Sequence, residues 1–161
     1  MATLDEITLT PAHRSVLDRF VALCRADDRI VAAFIGGSVA RGSADEHSDL
    51  DLYVIASDDS FPLLRETHGD LVRKLGVPLF SETFDDPNIL FFILADGVEG
   101  ELCVAPQGGF ADVHVGPYLT LLDRHGILTG VEFPEHNDEP TDQRGQLCRA
   151  VAVLWHDFSH F

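Results

Sequence analysis

The chain has 161 residues, of which 27 are Asp or Glu and 11 are Lys or Arg, so its formal net charge is −16. A surface this acidic repels the phosphates of nucleic acids and anionic membranes, which argues against general binding to either. Hydrophobic residues make up 45% of the sequence, which is enough for the packed core of one domain and argues against a disordered chain.

Helices and strands alternate along the first half of the chain. Apolar residues that recur every three or four positions indicate helices, and short apolar or alternating runs indicate strands. Thr10 followed by Pro11 is typical of a helix start, and Gly76 of a helix end. The predicted elements, in chain order, are a helix over residues 11–26, a strand over 30–35, a short helical turn from Ser38, a strand from Asp49 and a helix over 60–75.

The second half is predicted to complete the same domain, which would span residues 1–131. Three further strands are predicted over residues 77–83, 88–95 and 101–105, and a short helix over 117–124. Residues 132–140 are acidic and contain prolines, which indicates a linker. Residues 141–161 form a last amphipathic helix in this prediction, and its apolar face would suit a homodimer or docking on the domain. The element order predicts an α/β fold in which a mixed central sheet is flanked by helices.

The ends and the cysteines bear on the cellular compartment. The first residues, MATLDEITLT, contain neither a basic region nor an apolar stretch, so they predict no signal peptide. No segment reaches the ~20 apolar residues of a membrane-spanning helix. The cysteines at 24, 103 and 148 are far apart in apolar surroundings. This sparse, odd set argues against a disulfide framework, so we expect a cytoplasmic protein.

Two acidic residues in the segment FIGGSVARGSADEHSDLDLY, residues 34–53, suggest a metal site. Asp49 and Asp51 are two positions apart on a predicted strand, so both carboxylates leave the same face about 6–7 Å apart. A divalent cation relieves the repulsion between them. Mg²⁺ suits such hard oxygen ligands, and it commonly takes its remaining ligands from water and substrate phosphates.

The same segment also contains groups that bind phosphate. Gly36 and Gly37 allow backbone N–H groups to approach an anion, and Ser38 adds a hydroxyl donor. Arg41 can bind a phosphate through its planar guanidinium group. A Gly-Ser pair or an Asp-x-Asp pair alone is more often structural. Their order and spacing, at the ends of two consecutive strands, favour a site for a metal-bound phosphate.

The stretch GGSVARGSADEHSDLDLYV resembles the signature of the DNA polymerase beta superfamily of nucleotidyltransferases. It is most similar to small stand-alone members, which include aminoglycoside and lincosamide adenylyltransferases and the minimal nucleotidyltransferases of toxin–antitoxin pairs. The resemblance implies the nucleotidyltransferase fold, Mg²⁺ with Mn²⁺ as an alternative, and a nucleoside triphosphate substrate, most commonly ATP. It also implies a set of nucleotide-binding residues. These are Gly36, Gly37, Ser38, Arg41 and Ser48.

The family has a third carboxylate on a later strand beside the Asp-x-Asp strand. The segments ELCVAP, residues 101–106, and LLDRHG, residues 121–126, resemble segments of the antibiotic-modifying members. The resemblance therefore favours Glu101 as a catalytic and metal-binding residue together with Asp49 and Asp51. Many members have Asp at this position, and a Glu could bind a metal or act as general base towards the acceptor. Three more acidic residues could instead supply the third carboxylate, namely Asp112, Asp96 and Glu99.

Three functions stay open at this level. The favoured one is transfer of a nucleoside monophosphate to a hydroxyl of a small molecule, such as an aminoglycoside-like antibiotic, which an acidic cleft would suit. The second is adenylylation of a partner protein, as in the minimal nucleotidyltransferase antitoxins. The third is a non-catalytic nucleotide-binding module, which the intact motif makes the least favoured.

Overall fold

The first helix, α1 (Pro11–Ala26), begins directly after Thr10, the capping residue that the sequence predicts. In the computed structural model, which describes residues 9–135, the Thr10 hydroxyl accepts a hydrogen bond from the His13 backbone N–H. Pro11 occupies the first turn, where its missing N–H costs no helical hydrogen bond. The predicted boundaries of this helix are confirmed.

Six strands form one mixed sheet. They are β1 (Ile30–Ile35), β2 (Leu50–Ala56), β3 (Pro78–Glu82), β4 (Ile89–Leu94), β5 (Glu99–Pro106) and β6 (Leu119–Asp123). Their order across the sheet is β3-β4-β5-β2-β1-β6. The central pair β2 and β5 is parallel, and the other neighbouring pairs are antiparallel. The predicted α/β fold with a mixed central sheet is confirmed.

The alternation of side chains along β2 separates the core from the polar face of the sheet. Leu50, Leu52 and Val54 point into the main core, where they are fully buried with residues of α1 and of the later helices. Asp51 and Tyr53 occupy the intervening positions and therefore point to the opposite face. The later helices are α2 (Gly37–Arg41), α3 (Phe61–Glu66) and α4 (His68–Leu75).

The opposite face is covered over β1 by the chain that follows β5. This segment begins with a 3-10 helix (Gln107–Asp112) and later places Phe133 against Phe34 of β1, with ring centroids 5.4 Å apart. Phe34 also stacks on Tyr53, with centroids 4.4 Å apart and the rings almost parallel. This aromatic cluster forms a second, smaller core beside the polar residues of β2.

The predicted helix over residues 117–124 is wrong, because Leu119–Asp123 forms strand β6, antiparallel to β1. Backbone pairing with the buried strand β1 outweighs the weak helical pattern of this short segment. The Asp123 carboxylate accepts hydrogen bonds from the N–H groups of Ile127 and Leu128, so it closes the turn after the strand. Arg124 donates to the carbonyl of Ile30 and so ties this end of β6 to β1.

Other predicted boundaries also change. The predicted helix over residues 60–75 is two helices, α3 and α4, because the backbone leaves helical geometry at Thr67 (φ −109°, ψ 15°). Asp49 immediately precedes β2 rather than starting it. The predicted helix over 141–161 and most of the predicted linker lie outside the described residues.

Two further sequence predictions concern thiols and membranes. Cys24 and Cys103 are buried and free, as predicted, and Cys148 lies outside the described residues. Among residues 9–135, no helix is both long and apolar enough to cross a membrane.

Candidate functional site

The turn between β1 and α2 places two glycines against the Asp51 backbone and carboxylate. Gly37 has a φ of +59°, and a Cβ added there would lie 1.7 Å from the Asp51 Oδ2. The Gly36 N–H donates to the Asp51 carbonyl oxygen at 3.0 Å. Position 37 therefore requires glycine for its backbone conformation and for space. The turn lies in direct contact with Asp51, a residue of the predicted metal site.

Ser38 and Arg41 lie on α2, immediately after this turn. The Ser38 Oγ is buried and has no hydrogen-bond partner within the described part of the chain. An unsatisfied buried polar group costs about 1–3 kcal/mol, so this hydroxyl is free to bind a ligand at the start of α2. Arg41 is exposed at the end of the same helix, and its charge acts on Asp51.

The predicted carboxylates come from two neighbouring strands. The parallel register pairs Asp51 of β2 with Glu101 of β5, so both side chains lie on the face opposite the main core. Burial first, and then the charges of Asp49 and Glu101, raise the pKa of Asp51 to about 6. Burial and the charge of Asp49 also raise the pKa of Glu101. The three groups are therefore near enough to repel one another.

A cleft of about 480 Å³ opens beside these groups. The motif contributes one wall, and Tyr53 and the chain after β5 contribute the other. Its lining residues are Gly37, Arg41, Asp49, Asp51, Tyr53, Asp112, Val113, His114 and Val115. Glu101 does not line the cleft, whereas Asp112, another candidate for the third carboxylate, does. Asp96 pairs with Arg19 at 3.4 Å, and Glu99 precedes Glu101 on the same strand.

A comparison with known protein families agrees with this geometry. Residues 17–79, which include the glycine turn and both aspartates of the motif, match the family model of the nucleotidyltransferase domain. Residues 17–79 are therefore similar to a nucleotidyltransferase domain. A search of the curated proteins found no match. The family match supports nucleotidyl transfer as the general activity, and the β5 and cleft residues after position 79 lie beyond it.

Ser48 belongs to the loop that leads to Asp49. Its hydroxyl donates to the Asp45 carboxylate and accepts from the Asp45 N–H, both at 2.9 Å. The His47 N–H donates to the same carboxylate. These bonds account for the Ser48 hydroxyl within the loop, so its contact with a nucleotide stays a prediction.

Tyr53 and His114 also line the cleft, and neither was predicted from the sequence as a site residue. His114 packs over Gly36, where an added Cβ would lie 2.5 Å from the His114 Cε1. Its Nε2 donates to the Pro117 carbonyl at 3.0 Å, and burial lowers the pKa of the ring below its ordinary value. No local pattern predicts this position, because the contact depends on the return of the chain after β5.

The described residues of the candidate site do not hold a metal ion with protein ligands alone. Within the described residues, no group of three or more His, Cys, Asp or Glu side chains is arranged to hold a metal ion. A cation between Asp49 and Asp51 would therefore take its remaining ligands from elsewhere. Mg²⁺ behaves in this way, since it keeps waters and binds substrate phosphates. Whether Glu101 is a ligand stays a prediction.

The raised pKa of Asp51 predicts how the stability of the metal-free domain depends on pH. Folding raises this pKa from an ordinary 3.8 to about 6, so the folded state binds the proton more tightly and stability falls as pH rises between these values. Asp51→Asn removes this penalty. In thermal denaturation, we expect the Tm of the variant relative to wild type to increase from about pH 4 to about pH 7. A Tm difference that stays constant over this pH range would contradict the raised pKa of Asp51.

Proposed function

We propose that this protein is a metal-dependent nucleotidyltransferase that moves a nucleoside monophosphate, AMP from ATP, to a hydroxyl of a small molecule. The observation that carries the proposal is the contact between the Gly37 turn and the Asp51 carboxylate. This contact places Gly37 and the exposed Arg41 in the same cleft as the carboxylates of the motif, and Ser38 follows Gly37 directly on α2. Donors for a triphosphate and ligands for a cation thus share one cleft.

The residues of this cleft fit Mg²⁺, or Mn²⁺, bound together with a nucleotide. Asp49 and Asp51 would hold the cation. Their negative charges repel one another, a cation relieves that repulsion, and hard carboxylate oxygens are its preferred ligands. When bound, the metal neutralises charge on the phosphates and polarises the oxygens of the reacting one. Glu101 would be a further ligand or the group that accepts the proton of the acceptor hydroxyl.

The residues of the chain would act mainly by positioning the reactants. The Gly37 backbone, the Ser38 hydroxyl and Arg41 would hold the β- and γ-phosphates, which orients the α-phosphorus towards the acceptor. The acceptor oxygen then forms a bond to the α-phosphorus, and the bond to pyrophosphate breaks. Phosphoryl-type transfers need little more from the protein than orientation and charge stabilisation.

A row of residues across the sheet supports a cationic acceptor with an apolar face. The strand registers place Glu82, Phe91, Glu101 and Asp51 side by side on β3, β4, β5 and β2, on one face of the sheet. The acidic residues of this row attract positive charge, and Phe91 offers an apolar surface between them. An aminoglycoside-like molecule has positive charge for the acidic residues to attract and hydroxyl groups that could accept the nucleotide.

Adenylylation of a protein is the second candidate function. Exposed apolar residues at and beside the edge strand β3 favour it, because clustered exposed apolar residues are typical of protein contacts. Leu79 and Phe84 are 70% and 69% exposed. This patch adjoins the row that supports a cationic acceptor, because the rings of Phe84 and Phe91 have centroids 6.3 Å apart.

Transfer of label from each nucleoside triphosphate would test both candidates. The full chain is incubated with Mg²⁺ and either aminoglycosides, their neutral hydroxylated analogues or a cell lysate. Label on the cationic molecules, and not on the neutral analogues, supports the first candidate. Label on a protein band supports the second, and no transfer with any acceptor contradicts both and favours a binding module.

The Ser38 hydroxyl provides a separate prediction for nucleotide binding. Ser38→Ala should raise the KM for the triphosphate about tenfold or more, because hydrogen bonds to charged groups contribute about 1.5–3 kcal/mol. The Tm without nucleotide should not fall, since the hydroxyl has no partner to lose. The exposed Ser43, just after α2, provides the control substitution Ser43→Ala. Equal KM values for the two variants would contradict the role of Ser38.

A further inference from the structure

A buried histidine on α1 contacts the loop that leads to Asp49. His13 is 6% exposed, and its Nε2 lies 2.8 Å from the carbonyl oxygen of Ser48, 35 positions along the chain. Ser48 immediately precedes Asp49. The bond therefore joins the start of α1 to the peptide that positions a carboxylate of the candidate site.

The partners of His13 determine the direction of its hydrogen bonds. The Ser48 carbonyl can only accept, so the Nε2 carries the hydrogen. The Nδ1 lies 2.5 Å from the Thr10 hydroxyl, which can donate to it while its oxygen accepts from the His13 backbone N–H at 3.2 Å. The residue that caps α1 thus also orients the imidazole towards Ser48.

The other side-chain hydrogen bonds of this loop join residues of the loop to one another. Asp45 accepts from the His47 N–H and the Ser48 hydroxyl, and the Asp45 N–H donates back to Ser48. These bonds stay within four consecutive residues. The bond from His13 connects that small unit to a helix of the main core, and the next residue after Asp49 begins β2.

We propose that His13 is a positioning residue that sets the place of Asp49 relative to Asp51, so that both carboxylates can share one cation. This inference rests on the proposed function. Asp49 is exposed and lies outside the strand that orients Asp51, so the neighbouring Ser48 peptide has to be held by another part of the fold. Residues that orient metal ligands in this way typically change metal affinity about 10–100-fold when replaced.

Two substitutions of similar size separate the bond to Ser48 from the bond to Thr10. In His13→Gln, the amide nitrogen extends about as far as the Nε2 and can still donate to the Ser48 carbonyl. In His13→Asn, the amide is at about the position of the Nδ1 and is too short to reach it. Asp123→Ala is the control for stability loss, because Asp123 closes a turn after β6 and does not line the cleft.

The experiment measures Mn²⁺ binding by electron paramagnetic resonance, the Mg²⁺ concentration that half-saturates transfer, and Tm. We expect His13→Asn to weaken Mn²⁺ binding and raise the half-saturating Mg²⁺ concentration by about tenfold or more, with His13→Gln restoring most of both. Asp123→Ala should lower Tm without changing either metal measurement.

Failure of this inference can be distinguished from failure of the proposed function. If wild type neither binds Mn²⁺ nor transfers a nucleotide, the proposed function is overturned, and the role of His13 with it. If wild type does both and His13→Asn matches it, only the role of His13 is overturned. The same holds if Asp123→Ala weakens metal binding as much as His13→Asn, because the effect would then follow from stability alone.

Discussion

The double substitution Asp49→Asn, Asp51→Asn should abolish metal-dependent nucleotidyl transfer while the fold persists. The amides keep nearly the shape of the carboxylates but lose the two negative charges that a cation needs. Metal catalysis contributes several kcal/mol to such reactions, so we expect a loss of about a thousandfold or more in kcat/KM. Transfer of labelled nucleotide measures the loss. Tm should not fall, because the repulsion that raises the pKa of Asp51 disappears as well.

A matched variant controls for the change in net charge. Asp59 and Glu66 are exposed and lie outside the cleft, so Asp59→Asn, Glu66→Gln removes the same amount of charge elsewhere. This control should transfer nucleotide at the wild-type rate. Undiminished transfer by the Asp49, Asp51 variant would rule out both residues as metal ligands.

The second large effect is expected from Gly37→Ala, with Gly42→Ala as its control. Both glycines have positive φ, +59° and +70°, so alanine costs about 1–2 kcal/mol of backbone strain at either position. Only at Gly37 does the new Cβ meet another group, since it would lie 1.7 Å from the Asp51 Oδ2, whereas nothing lies within 4 Å at Gly42. The Gly37 variant must therefore displace the turn or the carboxylate.

A displacement of about 1 Å in a catalytic group can cost about a hundredfold in rate. We expect a loss of this order in kcat for Gly37→Ala and a change of less than about threefold for Gly42→Ala, whose strain affects stability more than catalysis. Steady-state kinetics and thermal denaturation of the two variants test this difference. Similar kinetic losses in both variants would show that the loss comes from strain in the backbone of α2 and not from the contact with Asp51.

The elements that the sequence predicts well are those with local causes. Thr10 and Pro11 determine the start of α1 through capping and the fixed φ of proline. The apolar run of β1 ends where Gly36 and Gly37 make the turn, and the alternation in β2 correctly separates Asp51 from the core. The spacing of these elements also predicted one site that combines the glycine turn with the aspartates, and the structure adds the direct contact between Gly37 and Asp51.

Long-range pairing explains what could not be predicted. Residues 119–123 are a strand because β1 offers them a partner nearly 90 positions earlier in the chain, and no local pattern carries that information. The neighbours of the motif depend on the same kind of contact. His114 reaches Gly36 only after the chain returns from β5, and the parallel register with β2 decides that Glu101, rather than Glu99, is opposite Asp51.

The sequence by itself determined which groups the candidate site contains, because its glycines, hydroxyl and carboxylates lie within one short segment of the chain. Only the tertiary structure decided how that chemistry is arranged. It placed Glu101 beside Asp51, closed the cleft with Tyr53 and His114, and connected His13 to the loop before Asp49. Each of these contacts joins residues that the sheet and its helices bring together from distant parts of the chain.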